Sequence, residues 1–491
     1  MPESATGKRA CLVRPWIGRI LGPCVMLGLL LASRPEGLPA EGLAVAAVAA
    51  LMAIWWICEA MPVAATALLP IPLFPLLGIM DGPQVTSNYG NHLIFLFLGG
   101  FWIAVTMEKW QLHRRLALHI IRRVGGQAHR VVLGFMLATA FLSMWLSNTA
   151  TAMMMLPIAM AVAGRADEGD AQASNGVPNS PFATALMLGI AYAASIGGVA
   201  TLIGTPPNAI LAGVSETFVG QRIGFGTWLA FGLPLSALML LLTWWYLTRV
   251  AFGAIELPPA GGGDPVRREL EALGGITREE RWVLAVFAAV AVAWILRGLT
   301  DWGPLTRIGD SGIALVGALS LFLIPVSGRS GEFLLDWKRA LGIPWGVILL
   351  FGGGFALAKG FETSGLALWI GERLVFTQGM PGILLVLLVT LVTIFLTEIT
   401  SNTATASMLL PIGASLANAA GLDPLSVMAA TALAASFAFM LPVATPPNAI
   451  VYASGRVGIP QMARVGFWLN LLGVVLITAA VSWLLPWVFG R

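Results

Sequence analysis

Charge is scarce in this 491-residue chain: Asp, Glu, Lys and Arg together make up 11% of it. Soluble domains carry about 25%, so an array of two or three water-soluble domains is excluded. Cysteine is scarcer still. The three present (Cys11, Cys24 and Cys58) lie near the first two apolar segments without metal-ligand spacing, and read as small buried hydrophobes. The four His (His92, His113, His119 and His129) fall at the start of one apolar run or in a basic stretch, again without metal spacing. No acid pair, Ser–His or Cys–His arrangement, or metal motif lies within the apolar runs, which argues against a membrane-embedded enzyme. What is abundant is hydrophobicity: 57% apolar residues, 18 Trp and 56 Gly, with a mean hydropathy of +0.84. This composition fits an all-α polytopic membrane protein with interfacial aromatics and closely packed helices. The net charge of +4 resides in a few basic loops, a topology signal that implies no nucleic-acid partner.

Lys8, Arg9 and Arg14 precede an apolar run, as in a signal peptide. No clear small-residue cleavage site follows and many more spans do, so the run reads as a first transmembrane helix. Runs long enough for a ~30 Å hydrocarbon core lie near 16–33, 42–60, 62–80, 92–107, 183–214, 225–248, 281–298, 309–326, 344–359, 427–454 and 463–488, eleven in all. Two further segments, 131–163 and 382–418, carry a polar triplet at their centres. Each is too long for one helix and too interrupted for two ordinary spans, and is expected to be a re-entrant helical hairpin. With eleven spans and two hairpins, the basic clusters all fall on one side: Lys8 to Arg19, Lys109 to Arg130, Arg249 to Arg281, Arg329 to Arg339, and Arg456 with Arg464. The positive-inside bias makes that side cytoplasmic. The expectation is a multi-pass inner (plasma) membrane protein with a cytoplasmic N-terminus. In loop 164–182 Arg165 is outnumbered by Asp167, Glu168 and Asp170, but acidic residues weigh little in that bias.

Two phrases occur twice. Ser147-Asn148-Thr149-Ala150-Thr151-Ala152 returns as Ser401-Asn402-Thr403-Ala404-Thr405-Ala406, and Thr205-Pro206-Pro207-Asn208 returns as Thr445-Pro446-Pro447-Asn448. The triplets share an offset of 254 with Leu96–Phe101 and Leu350–Phe355, whereas the proline motifs are offset by 240. The Gly-rich phrases lie on spans four and nine, an odd step apart, so the halves are expected to form an inverted repeat. Amphipathic stretches 108–124 and 360–375 follow the two Gly-rich helices and suit opposite interfaces.

Polar triplets and double prolines are costly in a bilayer unless the freed backbone is buried in protein or lines a cavity. Ser, Asn and Thr are helix N-cap residues, and a helix N-terminus offers unpaired N–H groups to an anion. A single triplet reads equally as a capped helix without ligand; duplication favours a site. Pro206 and Pro446 disfavour helix in the residue before them, so Gly204-Thr205 and Ala444-Thr445 are expected to leave the helix and free carbonyls for a hard cation such as Na⁺. Ser143 and Thr397 each lie one turn before a triplet, on the same helix face as its Ser. Glu398 is the one acid in either hairpin. It reads either as a group that assists ion or proton coupling or as a carboxylate bonded to nearby backbone.

The paired Ser-Asn-Thr and Thr-Pro-Pro-Asn motifs resemble the divalent anion/sodium symporter family of di- and tricarboxylate and sulfate carriers, across essentially the whole chain. The resemblance implies a homodimeric elevator-type carrier with scaffold and transport domains. Scaffold helices 1–4 would occupy 1–130. A first transport-domain part would occupy 131–250, with hairpin 131–163, broken helix 183–214 and helix 225–248. The cytoplasmic loop and scaffold helices 7–9 would fill 251–375. A second transport-domain part would fill 376–491, with hairpin 382–418, broken helix 427–454 and helix 463–488. It implies one Na⁺ held by Ser143, Ser147, Asn148 and the Gly204 carbonyl, and another by Thr397, Asn402 and the carbonyls of Thr400 and Ala444. Asn148, Thr149, Thr205, Asn402, Thr403 and Thr445 would face the anion. Thr at the end of both triplets resembles carboxylate carriers, and intact hydroxyls at Ser143 and Thr397 resemble Na⁺-coupled members. The expected activity is Na⁺-coupled symport of small dicarboxylates of the succinate, malate or fumarate class. The alternatives are a Na⁺-independent dicarboxylate exchanger, a sulfate or tricarboxylate carrier of the same family and, less in keeping with two re-entrant loops, a channel.

Overall fold

In hydrocarbon each backbone N–H must find its partner within its own segment, so long apolar runs become helices. The structure is a computed structural model and describes residues 5–170, 180–253, 255, 265–299, 303–328, 331–373 and 379–490. Among the described residues the chain is helical, and the one extended pairing is an isolated bridge between Pro325 and Phe333. The elements used below are α1 (Ala5–Leu31), α2 (Ala40–Cys58), α3 (His92–Lys109), α4 (Leu112–Val124), α5 (Ala128–Ser143), α6 (Asn148–Asp170), α7 (Pro181–Gly198), α8 (Pro206–Val219) and α9 (Phe225–Trp245). There follow α10 (Arg278–Leu299), α11 (Gly303–Leu321), α12 (Trp345–Thr363), α13 (Leu366–Arg373), α14 (Gly382–Thr397), α15 (Asn402–Ala419), α16 (Pro424–Ser436), α17 (Pro446–Ala453) and α18 (Ile459–Ala479).

Among the described residues, seven helical stretches are long and apolar enough to cross a membrane: Ala40–Cys58, Gly82–Lys109, Pro181–Gly198, Phe225–Ala251, Arg278–Gly298, Trp345–Thr363 and Ile459–Phe489. The chain is an integral multi-pass membrane protein. The other expected spans are shorter or broken. Region 62–80 is two short helices, Val63–Thr66 and Pro70–Leu76, joined by tight turns. Pro70, Pro72 and Pro75 lack the N–H groups that one continuous helix would need. The run expected at 309–326 is helical to Leu321, the end of α11, which is kinked at Gly309 (φ 73°). Part of loop 164–182 lies outside the described residues.

The halves meet at equivalent residues. Phe97 of α3 and Phe351 of α12, related by the 254 offset, pack edge to face with centroids 4.7 Å apart. Helices α7 and α16, which lead into the proline motifs, are sheathed by others: Phe182–Gly198 and Val427–Ser436 are buried throughout.

Long-range contacts join loops in two groups. Arg19 donates to the Ala60 carbonyl, Trp244 to that of His129 and Thr184 to that of Arg456. Lys109 pairs with Asp336 at 2.8 Å, and Arg115 pairs with Glu280 at 2.8 Å. All these pairs join segments that the basic clusters assign to one side. At the segments assigned to the other side, Trp369 and Arg373 donate to the Glu36 carbonyl, and Arg297 pairs with Asp310 at 2.8 Å. The amphipathic helices α4 and α13 thus anchor to different groups.

Candidate functional site

Helix α5 ends at Ser143, four residues turn, and α6 starts at Asn148; likewise α14 ends at Thr397 and α15 starts at Asn402. The Asn and Thr of each triplet therefore occupy a first helical turn, where backbone N–H groups have no intrahelical partner. The Ser147 hydroxyl accepts from the Ala150 N–H at 3.2 Å, which makes it a cap. The proline breaks are longer than the motifs alone suggest. They run from 199 to 205 and from 437 to 445. Thr205 (φ −141°, ψ 139°) and Thr445 (φ −140°, ψ 149°) are extended, as residues before proline prefer, and Pro opens the next helix.

Each break is stapled by its own asparagine. Asn208 Nδ2 donates to the carbonyls of Val199 (3.1 Å) and Thr201 (2.8 Å). Asn448 Nδ2 donates to those of Ala438 (3.1 Å) and Leu441 (3.0 Å). Both side chains are fully buried, so the staple replaces helix bonds that the prolines forbid.

Beside each break lies a cluster of oxygens. Ser143 Oγ is 2.5 Å from Asn148 Oδ1 and 2.7 Å from the Ala194 carbonyl. Thr397 Oγ1 is 2.8 Å from Asn402 Oδ1 and 3.0 Å from the Ala435 carbonyl. A hydroxyl carries one proton and can satisfy one of two acceptors. Each cluster is thus rich in lone pairs and poor in protons, the chemistry that suits a hard cation. The first cluster is tightened by Gly198: a Cβ there would sit 2.8 Å from Asn148 Oδ1 and 3.0 Å from the Gly204 carbonyl.

Between the clusters is a cavity of about 670 Å³. Ser147, Asn148, Thr149, Gly204 and Thr205 line it from one half, and Thr400, Asn402, Thr403, Ala444 and Thr445 from the other. Ser143 and Thr397 stand behind this lining, fully buried. Thr205 Oγ1 is 3.3 Å from Ser436 Oγ, Thr445 Oγ1 accepts from the Asn448 N–H, and Thr400 Oγ1 is 2.6 Å from Thr405 Oγ1. Among the described residues the lining includes no Lys, Arg or His; its charged members are Glu59 and Glu108. Attraction for an anion must come from helix N-termini, Asn amides, Thr hydroxyls and any cations bound with it.

Sequence reasoning passed over several of these groups. Phe97 lines the cavity within the Gly-rich phrase, and its repetition was the available signal. Gly198, Ala194 and Ala435 carried none, because they meet the triplets only through folding. Glu398 is 4% exposed and accepts from the N–H groups of Phe439 (2.7 Å), Met440 (2.9 Å) and Leu441 (3.1 Å) and from Asn470 Nδ2 (2.7 Å). The structure thus has a carboxylate bonded to backbone and to one amide, an arrangement compatible with both of its readings.

Comparison with known proteins places this geometry. Residues 14–490 match the family model described as the sodium:sulfate symporter transmembrane region. The chain is 45% identical over 480 residues to the sodium-dependent dicarboxylate transporter SdcS of Staphylococcus saprophyticus, covering 96% of this chain and 92% of that one. It is 46% identical over 477 residues to SdcS of Staphylococcus aureus, with the same coverage. Two solved structures share the fold at low identity. The Alcanivorax borkumensis YdaH transporter has a TM-score of 0.57 and 14% identity, covering 91% of this chain and 98% of that one. MtrF of Neisseria gonorrhoeae has a TM-score of 0.59 and 13% identity, covering 94% and 97%. With a match that runs nearly end to end, the chain belongs to the sodium:sulfate symporter family.

Proposed function

We propose that the protein is a secondary transporter that carries small dicarboxylates, of the succinate, malate or fumarate class, together with Na⁺. The observation that carries this reading is the duplicated oxygen cluster at the two helix breaks around one cavity that has no basic side chain. The SdcS relatives, named as sodium-dependent dicarboxylate transporters, point the same way. In this reading Ser143, Ser147, Asn148 and the Gly204 carbonyl hold one Na⁺. Thr397, Asn402 and the carbonyls of Thr400 and Ala444 hold the other. Ser147 contributes through its backbone, since its hydroxyl caps α6. Asn148, Thr149, Thr205, Asn402, Thr403 and Thr445 face the carboxylates. An unpaired dianion in a low-dielectric site is expensive, so the ions stabilise the anion and each raises the affinity of the other.

The two hairpins, broken helices α7–α8 and α16–α17, and helices α9 and α18 make up the transport domain. Segments 1–130 and 251–375 form the scaffold, the repeat is inverted, and transport follows an elevator movement in a homodimer. Lipid covers exposed apolar side chains such as Leu323, Trp483 and Trp487. The cavity's remaining lining includes Glu59, Glu108, Gly342 and Pro344, which border the cytoplasmic side in the proposed topology, so this conformation faces inward.

Succinate uptake into proteoliposomes, with and without a Na⁺ gradient, tests the coupling. Full-rate exchange without Na⁺ would turn the reading into that of a sodium-independent exchanger. Asn148→Ala and Asn402→Ala should each abolish uptake while sparing expression; near-normal uptake by either would remove the triplets from the site.

A further inference from the structure

We propose that Asp310 is a positioning residue for the transport cycle: its carboxylate caps α9 across the boundary between scaffold and transport domain and latches the inward-facing state. The inference rests on the elevator reading given above. Helix α9 opens on Arg222-Ile223-Gly224, a phrase that returns before α18 as Arg456-Val457-Gly458, offset by 234. Glycine has no side chain with which to cap, so each helix start needs an acceptor from elsewhere. At α18 the Gly458 N–H donates to Gln461 Oε1 at 3.1 Å, within the same helix end. At α9 the Phe225 N–H donates to Asp310 Oδ2 at 2.9 Å, 85 residues away on α11. The repeat gives the comparison its control. One helix start is closed by its own segment, and the other by the opposite domain.

Asp310 is fixed on the scaffold side. Its Oδ1 accepts from Arg297 Nη1 at 2.8 Å and its carbonyl from Trp294 Nε1 at 2.9 Å, both on α10. A carboxylate at a helix N-terminus gains from the helix dipole as well as from the hydrogen bond. Beside this polar tie the boundary is closed by aromatic side chains. Phe225 stacks on Trp294 with centroids 4.3 Å apart, and Trp145, from the turn of the first hairpin, meets Phe287 edge to face at 4.8 Å. Gly226 and Gly298 let the backbones touch: a Cβ on Gly226 would lie 3.0 Å from Gly298 Cα and 3.1 Å from the Trp294 carbonyl oxygen. An elevator movement carries Trp145, Phe225 and Gly226 past Trp294, Gly298 and Asp310, so it must break the tie and part the stack. In the proposed topology these contacts lie on the outer side, whereas the cavity opens past Glu59, Glu108, Gly342 and Pro344 on the cytoplasmic side. The latch therefore belongs to the inward-facing state and is lost on passage outward.

The test reads which face of the membrane reaches the cavity. Val443 lines it and is 78% exposed. Val443→Cys, with Cys11, Cys24 and Cys58 replaced by Ser and uptake retained, reports access to a membrane-impermeant thiol reagent in inside-out and right-side-out vesicles. A hydrogen bond to a charged group is worth about tenfold or more in an equilibrium, so Asp310→Ala should shift the ratio of labelling toward the outer face by about that factor. Asp310→Asn, which keeps an acceptor for Phe225 and removes the charge, should shift it less. Gly226→Ala, which wedges the two backbones apart without touching Asp310, should shift it in the same direction. A merely structural role would lower the yield of folded protein and leave the ratio where it is. A parental ratio in Asp310→Ala overturns the inference; should Asp310→Ala not fold, a parental ratio in Gly226→Ala does so. Outer labelling that responds to Na⁺ and succinate but not to Asp310→Ala overturns the latch alone. Outer labelling absent from the parent and from every variant, with Na⁺ and succinate present, overturns the elevator reading and the latch with it.

Discussion

Replacing Gly198 by Ala should poison one of the two proposed cation cages without removing any of its proposed ligands. Its φ is not among the positive values of the chain, so the backbone accepts Ala. The new methyl carbon would lie 2.8 Å from Asn148 Oδ1 and 3.0 Å from the Gly204 carbonyl. Ordinary C···O contacts are ~3.3–3.6 Å, so both oxygens must retreat by a few tenths of an ångström. A hard cation needs its oxygens at ~2.3–2.6 Å, and the methyl takes the space it would share. Overpacking of this kind costs ~1–3 kcal/mol, and 1.4 kcal/mol is about a factor of ten in affinity. The Na⁺ concentration for half-maximal succinate uptake in proteoliposomes should therefore rise about tenfold to a hundredfold. Expression and elution as a folded protein should be retained, because the closer of the two contacts is to a side-chain oxygen that can turn away. Wild-type Na⁺ dependence in Gly198→Ala would refute the placement of a cation between Asn148 and Gly204.

Asn208→Ala and Asn448→Ala should each lower the melting temperature markedly. Each takes the amide donor from a buried carbonyl, that of Thr201 or Ala438, at ~1–3 kcal/mol, while Val199 keeps the Trp228 indole and Leu441 keeps the Ala444 N–H; a shift within error in either variant would contradict the staple. Gly466→Ala should abolish uptake by pushing the Phe439–Met440 backbone off Glu398; retained uptake would mean that this loop tolerates displacement. Thr149→Ser and Thr403→Ser should leave uptake measurable and alter the ranking of substrates in a competition panel; an unchanged ranking would place the methyl groups away from the anion. The Lys109 ammonium, hydrogen-bonded to Asp336, holds that carboxyl below its ordinary value of 3.8. A depressed carboxyl contributes stability above its unfolded pKa and loses it as pH falls through the folded value. The melting temperature of Asp336→Asn should consequently fall less steeply than that of the wild type below pH ~4.

The two motifs were readable in the sequence because each breaks a rule of membrane helices twice, at matched positions. Matched breaks in two halves also pointed to a shared site. Residues that act through long-range contact were not readable. Ala194 and Ala435 give only carbonyls, which any residue has, and no pattern marks them. Asn470 lies in an ordinary apolar helix 72 residues from Glu398, and only the fold brings the two together. The sequence-based expectation of one span over 62–80 erred for a different reason. The Leu, Ile and Phe residues carry the run's hydropathy while its prolines lack backbone donors, so a hydrophobic run became two short helices. The cap that the Ser147 hydroxyl gives to the helix starting at Asn148 was legible too, since Ser before such a run is a common N-cap.

The lining's want of any basic side chain bears on unloading. A carrier that gripped its cargo with Arg or Lys would keep that grip on both sides of the membrane and would release slowly. Here the positive charge is borrowed. It arrives with the ions and departs with them, and the acids Glu59 and Glu108 then remain in the same cavity with the dianion. In the proposed reading, loss of the cations leaves the dianion without its counter-charge in a chamber lined by acids, and cargo release follows the ion gradient.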